Sequence, residues 1–181
     1  MSAERIAHVS ELITPYGGHQ PHIAAGVFVD RSARLIGRIT LAGGVSIWPG
    51  AVLRADDAEI VIKAGSAVLD LALVEAPLGK PVVVEAGALI SHQVCLHGAT
   101  VKSGALVGIG AIVLDKAVVG EGAIVGAGAV VPPGMQVPPG VLVLGQPAKA
   151  VRELKPSEQG MVSEQLAELH HKARVYLKQG A

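Results

Sequence analysis

The chain has 181 residues, with 15 Lys and Arg balanced by 15 Asp and Glu, so its net charge is zero when its histidines are neutral. A zero net charge and 2% aromatic residues exclude the basic surface and the stacking platforms that nucleic-acid binding requires. A single cysteine excludes an internal disulfide framework and favours a reducing, cytoplasmic compartment.

Neither targeting nor membrane insertion is indicated by the sequence. Residues 1–5 lack the pattern of a signal peptide. Residues 122–148 carry no charge, but prolines and glycines interrupt them throughout, so they cannot form a spanning helix. We therefore expect a protein with no membrane partner.

The dominant pattern is an internal repeat with a period of six residues. In each unit an aliphatic residue follows a small residue by two positions, and a glycine commonly precedes the small one. Residues two apart share one face of a strand, and the glycine suits a turn. The clearest row of aliphatic residues is Val101, Val107, Val113, Val119, Val125, Val131, Val137 and Val143.

The same register extends upstream to Val27, with two slips of three residues that predict short loops at about 55–59 and 76–80. In this register Cys95 takes a buried aliphatic position. With three strands in each coil, the units between Val27 and Val143 predict roughly six stacked coils.

Such units resemble the hexapeptide-repeat proteins, in which the chain winds as a left-handed parallel β-helix with three short strands per triangular coil. The handedness is what this resemblance implies. We therefore predict an all-β solenoid, a left-handed parallel β-helix over residues 27–148. An N-terminal segment, 1–26, precedes it, and a linker with an amphipathic helix, 149–181, follows it.

The C-terminal segment has a helical pattern after Pro156. We predict an amphipathic helix with Ser157 as its N-cap. Because an isolated helix of this length is marginal, its apolar stripe should lie against the solenoid or a neighbouring subunit. The stripe consists of Val162, Leu166, Leu169, Ala173 and Tyr176.

A few polar residues interrupt the aliphatic repeat. Counting three units per coil places Arg54, Glu75 and His97 in one column on successive coils. His92 and His97 are five residues apart and lie on different sides of one strand and its turn. One subunit should therefore not direct both histidines at one ion. In a symmetric oligomer, a neighbour's His92 could join Glu75 and His97 in a site suited to zinc or ferrous iron. The alternative is that the histidines are solvated turn residues and Glu75 is an ordinary surface acid.

Three features carry a more specific resemblance: residues 46–56 (SIWPGAVLRAD), the pair His92 and His97, and the ending LGQPAK at 144–149. Together they resemble the γ-class carbonic anhydrase family over nearly the whole chain. The resemblance implies a homotrimer that holds Zn²⁺, or Fe²⁺ or Co²⁺, between subunits and acts on CO₂ and bicarbonate. It assigns two metal ligands to His92 and His97 and places the third, a histidine in the family, on Glu75.

The resemblance also marks residues around the ligands. Arg54, Asp56 and Asp70 match family positions that bind ions across the interface or assist catalysis, and they could equally be ordinary surface charges. The family's catalytic glutamine falls on Leu69, which cannot form a hydrogen bond through its side chain. A carboxylate ligand at Glu75 also makes a metal-bound water harder to deprotonate. We therefore expect weak or absent CO₂ hydration.

Three functions stay open at this point. The first is a metal-dependent, γ-carbonic-anhydrase-like trimer that acts on CO₂ or on another small carbonyl or ester. The second is a non-catalytic metal-binding or interaction protein on the same scaffold. The third is a coenzyme A-dependent acyltransferase, because many hexapeptide-repeat proteins are such enzymes. The short interruptions and Glu75 favour the metal-dependent protein.

Overall fold

The computed structural model of the protein describes residues 12–180. The remaining residues, including positions 1–5 that lack a signal-peptide pattern, lie outside the described part. The described chain forms a parallel β-solenoid of about seven turns followed by a C-terminal helix, which confirms the predicted fold class. No helix within residues 12–180 is long and apolar enough to cross a bilayer.

Most strands contain two or three residues, because each six-residue unit supplies one short strand and a turn. In chain order the strands are β1 (Ile13–Thr14), β2 (His22–Ile23), β3 (Phe28–Val29), β4 (Arg34–Leu41), β5 (Ser46–Ile47), β6 (Val52–Ile62), β7 (Ala67–Val68), β8 (Leu73–Glu75), β9 (Val82–Val84), β10 (Leu89–Ile90), β11 (Cys95–His97), β12 (Thr100–Val101), β13 (Leu106–Val107), β14 (Ile112–Val113), β15 (Val118–Val119), β16 (Ile124–Val125), β17 (Val130–Val131), β18 (Gln136–Val137), β19 (Val141–Leu144) and β20 (Lys149–Glu153).

The strands form three faces. We call the first the helix-covered face, which runs β3-β5-β7-β10-β13-β16-β19. The second, the open face, runs from the start of β6 through β8, β11 and β14 to β17. The third face runs from the end of β6 through β9, β12 and β15 to β18. Strand β20 pairs antiparallel to β19 and so ends the sheet of the helix-covered face.

Parallel pairing keeps the inward residues in columns through the core. Val68 pairs with Ile90, Ile90 with Val107, and Val107 with Val125. All four are completely buried, and burial of each such side chain contributes about 1.5–3 kcal/mol. The solenoid is therefore held together by stacked aliphatic side chains rather than by long strands.

Parallel pairing begins upstream of the predicted first unit. β1 and β2 both pair with β4, with Ile13 opposite Leu35 and Ile23 opposite Leu41. Ile13 and Ile23 pack against the main core. This upstream pairing accounts for about seven turns where the repeat predicted roughly six.

The predicted burial of Cys95 is wrong. Cys95 is half-buried, whereas Leu96 is completely buried and lies in register between Val74 and Val113. The inward row then reaches Val101 after five residues instead of six, which restores the predicted register. Because Leu96 and not Cys95 points inward, His97 is the residue that directly follows the inward position.

The predicted loop at 55–59 is also wrong, because these residues lie within the continuous strand β6. The pairing of β4 with β6 shifts between Gly37 and Ile39, so a bulge absorbs the extra residues. Gly37 has φ +80°, and a Cβ there would overlap the carbonyl group of Ala55. The other predicted loop, at 76–80, is confirmed between β8 and β9.

The C-terminal helix, Met161–Gln179, lies against the solenoid as expected. Its buried residues, Val162, Leu166 and Ala173, join an apolar cluster with residues of the helix-covered face. The ring of Tyr176 stacks on that of Phe28, with centroids 5.5 Å apart, and meets Trp48 edge-on at 6.1 Å.

The helix does not begin as predicted at Ser157. Its N-cap is Gly160, which has no side-chain cap hydrogen bond. The preceding turns are held instead by Glu158, whose two oxygens each accept a hydrogen bond of 2.7 Å from Arg152, while the Lys155 N–H donates to one of them. These hydrogen bonds lower the pKa of Glu158 to about 2.

We expect Glu158 to stabilise the fold at neutral pH and to lose this effect in acid. Its folded pKa lies below the ordinary value of 4.5, so the stabilisation is complete above pH 4.5 and declines as the pH falls towards about 2. The difference in unfolding free energy between wild type and Glu158→Gln should follow this course, measured by denaturation with Trp48 fluorescence.

Glu168→Gln is the matched control. Glu168 pairs with Lys172 at 2.7 Å on the exposed side of the helix, where both side chains are more than half exposed, so its removal should change stability less. A Glu158→Gln difference that is the same at pH 2 and pH 7 would contradict the assignment.

Candidate functional site

The predicted column of polar residues is confirmed by the strand register. Arg54 in β6 pairs with Glu75 in β8, and Glu75 pairs with His97 in β11. Each of the three directly follows a completely buried residue of the core. Their side chains therefore project outward at the corner between the open face and the third face.

The side chains of this column contact one another. Arg54 donates a hydrogen bond to Glu75 and another, of 3.0 Å, to Asp56. His97 directs Nε2 towards Glu75, 4.0 Å from its Oε1. We call Arg54, Asp56, Glu75 and His97, with the two residues described next, the His97 corner.

Two residues of this corner were not predicted. Asp115 is hydrogen-bonded through Oδ1 to His97 Nδ1, and Lys80 donates a hydrogen bond to the other oxygen of Asp115. The Lys80 ammonium, helped by His97, holds the pKa of Asp115 below its usual range, so Asp115 is ionised at neutral pH. Asp115 stands 18 residues after His97, so a count of three regular six-residue units from His97 would have found it. The strand pairing itself is one residue shorter over this coil, with Leu96 opposite Val113.

His92 lies at the other end of the open face. It occupies the turn between β10 and β11, where its Nδ1 is 3.0 Å from Oδ2 of Asp70 in the turn one coil away. We call this pair the His92 corner. Both side chains are well exposed, at 47% for His92 and 39% for Asp70.

Backbone strain marks both corners. Non-glycine residues rarely take positive φ, which costs roughly 1–2 kcal/mol. Within residues 12–180 the three that do each directly follow a residue of one of the corners, Asp70, His92 or Asp115; they are Leu71 (φ 60°), Gln93 (φ 58°) and Lys116 (φ 60°). Such outliers concentrate at functional sites.

One chain does not assemble the predicted metal site. Within the described residues no group of three or more His, Cys, Asp or Glu side chains could hold a metal ion. The predicted residues divide instead between the two corners, with Glu75 and His97 at one and His92 at the other. This division agrees with the expectation that one subunit does not direct both histidines at one ion.

The His97 corner nevertheless fits part of a metal site. Tetrahedral ligation places donor atoms about 3.4 Å apart, close to the 4.0 Å between His97 Nε2 and Glu75 Oε1. His97 Nδ1 is engaged by a carboxylate, which is the usual arrangement behind a ligating imidazole. The corner thus presents two donor atoms at a spacing that suits one ion, and within residues 12–180 no third protein donor joins them.

Leu69, at the family's glutamine position, is buried with only 5% of its surface exposed. It belongs to the apolar cluster of the helix-covered face, together with Trp48 and Leu89. Packing therefore accounts for a leucine at this position.

The open face between the two corners is apolar. Leu73 and Ile112 are about a third exposed on it, and half-buried Cys95 lies between them. Leu71 and Ile109, in the turns beside this face, are more than half exposed.

The chain is similar in sequence to curated carbonic anhydrases. It is 38% identical over 169 residues to a carbonic anhydrase of Geobacillus kaustophilus, a match that covers 93% of this chain and 89% of that protein. It is 40% identical to a probable carbonic anhydrase of Methanocaldococcus jannaschii, over 75% of this chain and 86% of that protein. No protein-family model matches the chain.

Two solved structures with the same fold are described as transferases and not as carbonic anhydrases. A hexapeptide transferase family protein from Anaplasma phagocytophilum superposes with a TM-score of 0.89 and 32% identity, over 92% of this chain and 99% of that one. A putative acetyltransferase from Bacillus cereus superposes with a TM-score of 0.89 and 33% identity, over 91% of this chain and 95% of that one. With its solenoid and its similarity to the carbonic anhydrases, the chain belongs to the γ-carbonic-anhydrase-like family of hexapeptide-repeat proteins.

Proposed function

We propose that the protein is a metal-dependent, γ-carbonic-anhydrase-like homotrimer whose sites lie between subunits. Glu75 and His97 of one subunit and His92 of the next hold Zn²⁺, or alternatively Fe²⁺ or Co²⁺. The substrate is CO₂ and bicarbonate, turned over weakly, or another small carbonyl or ester.

The division of the site residues between two corners is the observation that carries this proposal. Each corner is incomplete, and the two contain complementary parts of a His₂Glu ligand set. The apolar open face that separates them gives a second subunit a surface to cover. A ring in which each His92 corner meets the next subunit's His97 corner completes every site at once.

The chain's own residues suggest distinct roles around a bound metal. A divalent ion, when bound, supplies Lewis acidity towards water. Arg54 donates one hydrogen bond to Glu75 and one to Asp56, which offsets one of their two negative charges and places a guanidinium beside the site, where it can donate to an anionic product such as bicarbonate. Asp70 orients His92 through the contact at Nδ1, which leaves Nε2 of His92 to face the neighbour.

The two alternatives make different predictions. A coenzyme A-dependent acyltransferase is favoured by the descriptions of the two structural relatives, and it requires saturable acetyl-coenzyme A binding that does not depend on metal. A non-catalytic metal-binding protein would keep the shared site without turnover. Calorimetric titration of the metal-loaded and metal-free trimer with acetyl-coenzyme A separates the first alternative from the proposal.

We expect Glu75→Ala and His92→Ala each to abolish metal binding as homotrimers, because every site then lacks a ligand. When the two variants are unfolded together and refolded, each mixed ring contains one junction with an intact His97 corner and an intact His92. About one site in three should therefore recover metal in mixed trimers. Metal analysis of chromatographically separated mixed trimers measures this recovery.

His171→Ala is the matched histidine control, since His171 is exposed on the C-terminal helix, and it should keep full metal binding. Metal retained by the His92→Ala homotrimer, or no recovery in verified mixed trimers, would refute the shared site.

CO₂ hydration by the natural protein should be weak, and Glu75→His should raise it, because a neutral ligand leaves a metal-bound water more acidic. Stopped-flow CO₂ hydration at matched metal occupancy measures the change. Fast turnover by the natural protein would contradict this view of Glu75.

The change to the family's glutamine, Leu69→Gln, should lower the unfolding free energy by about 1–3 kcal/mol, since it buries an amide in an apolar cluster.

A further inference from the structure

We infer that Asp115 is a positioning residue that fixes His97 in the Nδ1–H tautomer, so that the lone pair of Nε2 faces Glu75. This inference rests on the proposed function, because its purpose is to present His97 to a metal ion. Nothing in the sequence pattern or the family resemblance assigns Asp115 a role.

The hydrogen-bonding chemistry determines the tautomer. An ionised carboxylate can only accept hydrogen bonds, so Nδ1 of His97 must carry the hydrogen that Asp115 Oδ1 accepts. In a neutral imidazole the other nitrogen, Nε2, is then unprotonated and free to act as a ligand. Nε2 is the atom that lies 4.0 Å from Glu75 Oε1.

Lys80 makes Asp115 a fixed acceptor. It donates to Oδ2 while His97 occupies Oδ1, so the two oxygens of the carboxylate are held by different partners. Lys80 reaches Asp115 from the loop between β8 and β9, where its N–H bonds the Pro77 carbonyl at 2.9 Å. The interruption of the repeat at this loop thus supplies the cation that orients Asp115.

The backbone around Asp115 is shaped for this contact. Gly98, directly after His97, has φ +55°, and a Cβ there would lie 2.9 Å from Cβ of Lys80 and 3.0 Å from Oδ1 of Asp115. Lys116 holds a positive φ of 60° and donates its N–H to the Gly98 carbonyl at 2.6 Å. A glycine on one coil and a strained residue on the next therefore bring the three side chains together.

Asp115→Asn separates positioning from a merely structural ion pair. The Lys80 ammonium attracts the amide oxygen, which turns the amide NH₂ towards His97. That NH₂ donates to Nδ1 and favours the Nε2–H tautomer, which places a hydrogen on the ligand atom. A purely structural role for Asp115 predicts no change of tautomer.

The test begins with metal-free, ¹⁵N-histidine-labelled protein at pH 8, where an ordinary imidazole is neutral. Long-range ¹H–¹⁵N spectra report the tautomer, and the His97 signals are assigned by their loss in His97→Gln. We expect the Nδ1–H form in wild type and the Nε2–H form in Asp115→Asn. Zn²⁺ affinity of the Asp115→Asn trimer should fall by about 10–100-fold.

Glu85→Gln is the matched control, because Glu85 is also a lysine-paired carboxylate at a turn, 3.0 Å from Lys102 Nζ. Within residues 12–180 it pairs with no histidine. It should keep wild-type Zn²⁺ affinity. An Nε2–H tautomer in wild type would overturn the inference even if Asp115→Asn failed to fold. Loss of affinity without a change of tautomer would also overturn it.

The tautomer measurement distinguishes this inference from the proposed function. If the wild-type trimer binds no Zn²⁺, the proposed function fails, while the two tautomers in metal-free protein still decide whether Asp115 positions His97.

Discussion

Most coils of the solenoid are held to the coil beneath them by strands of only two or three residues, and such short strands cannot fix their own register. The register is fixed by the inward aliphatic residues, which stack directly on one another along the core. A slip by one residue would turn every inward side chain outward. This constraint explains the small, aliphatic composition and the period of six, and it determines where every polar side chain can stand.

The candidate site is a product of that register. Residues that directly follow an inward position must project at a corner, and Arg54, Glu75 and His97 do so on three successive coils. His92 lies in the turn between β10 and β11, so the same register places it at the opposite end of the open face. One chain therefore keeps His92 apart from Glu75 and His97. The non-glycine residues with positive φ that follow Asp70, His92 and Asp115 show that the turns deviate from the glycine pattern there.

The sequence was sufficient for the solenoid, the presence of the C-terminal helix and the polar column, because all three follow from periodicity, whereas the handedness was an implication of the family resemblance. It was insufficient wherever a contact rather than a period decides the outcome. Cys95 was misplaced because the slip before Val101 shortens one unit by a single residue, which the surrounding valines conceal. Ser157 is not the N-cap, because an ion pair organises the start of the helix instead. This pair joins Arg152 in strand β20 to Glu158 in the turn before the helix, and no sequence period predicts it.

Side-chain contacts also explain why two of the six residues of the His97 corner, Lys80 and Asp115, were not predicted. Lys80 belongs to a loop that interrupts the repeat, and Asp115 belongs to a coil in which no other polar residue points to a site. Leu69 illustrates the reverse case, since its departure from the family pattern is visible in the sequence but its burial in one apolar cluster with Trp48 and Leu89 is not.

The metal site that we propose exists only between subunits. Gel filtration of Zn²⁺-equilibrated protein, with zinc and protein measured in every fraction at loading concentrations on both sides of trimer dissociation, tests it most directly. A shared site predicts that zinc follows the trimer peak and is missing from the monomer peak. Zinc bound to the monomer at the same ratio as to the trimer would contradict it.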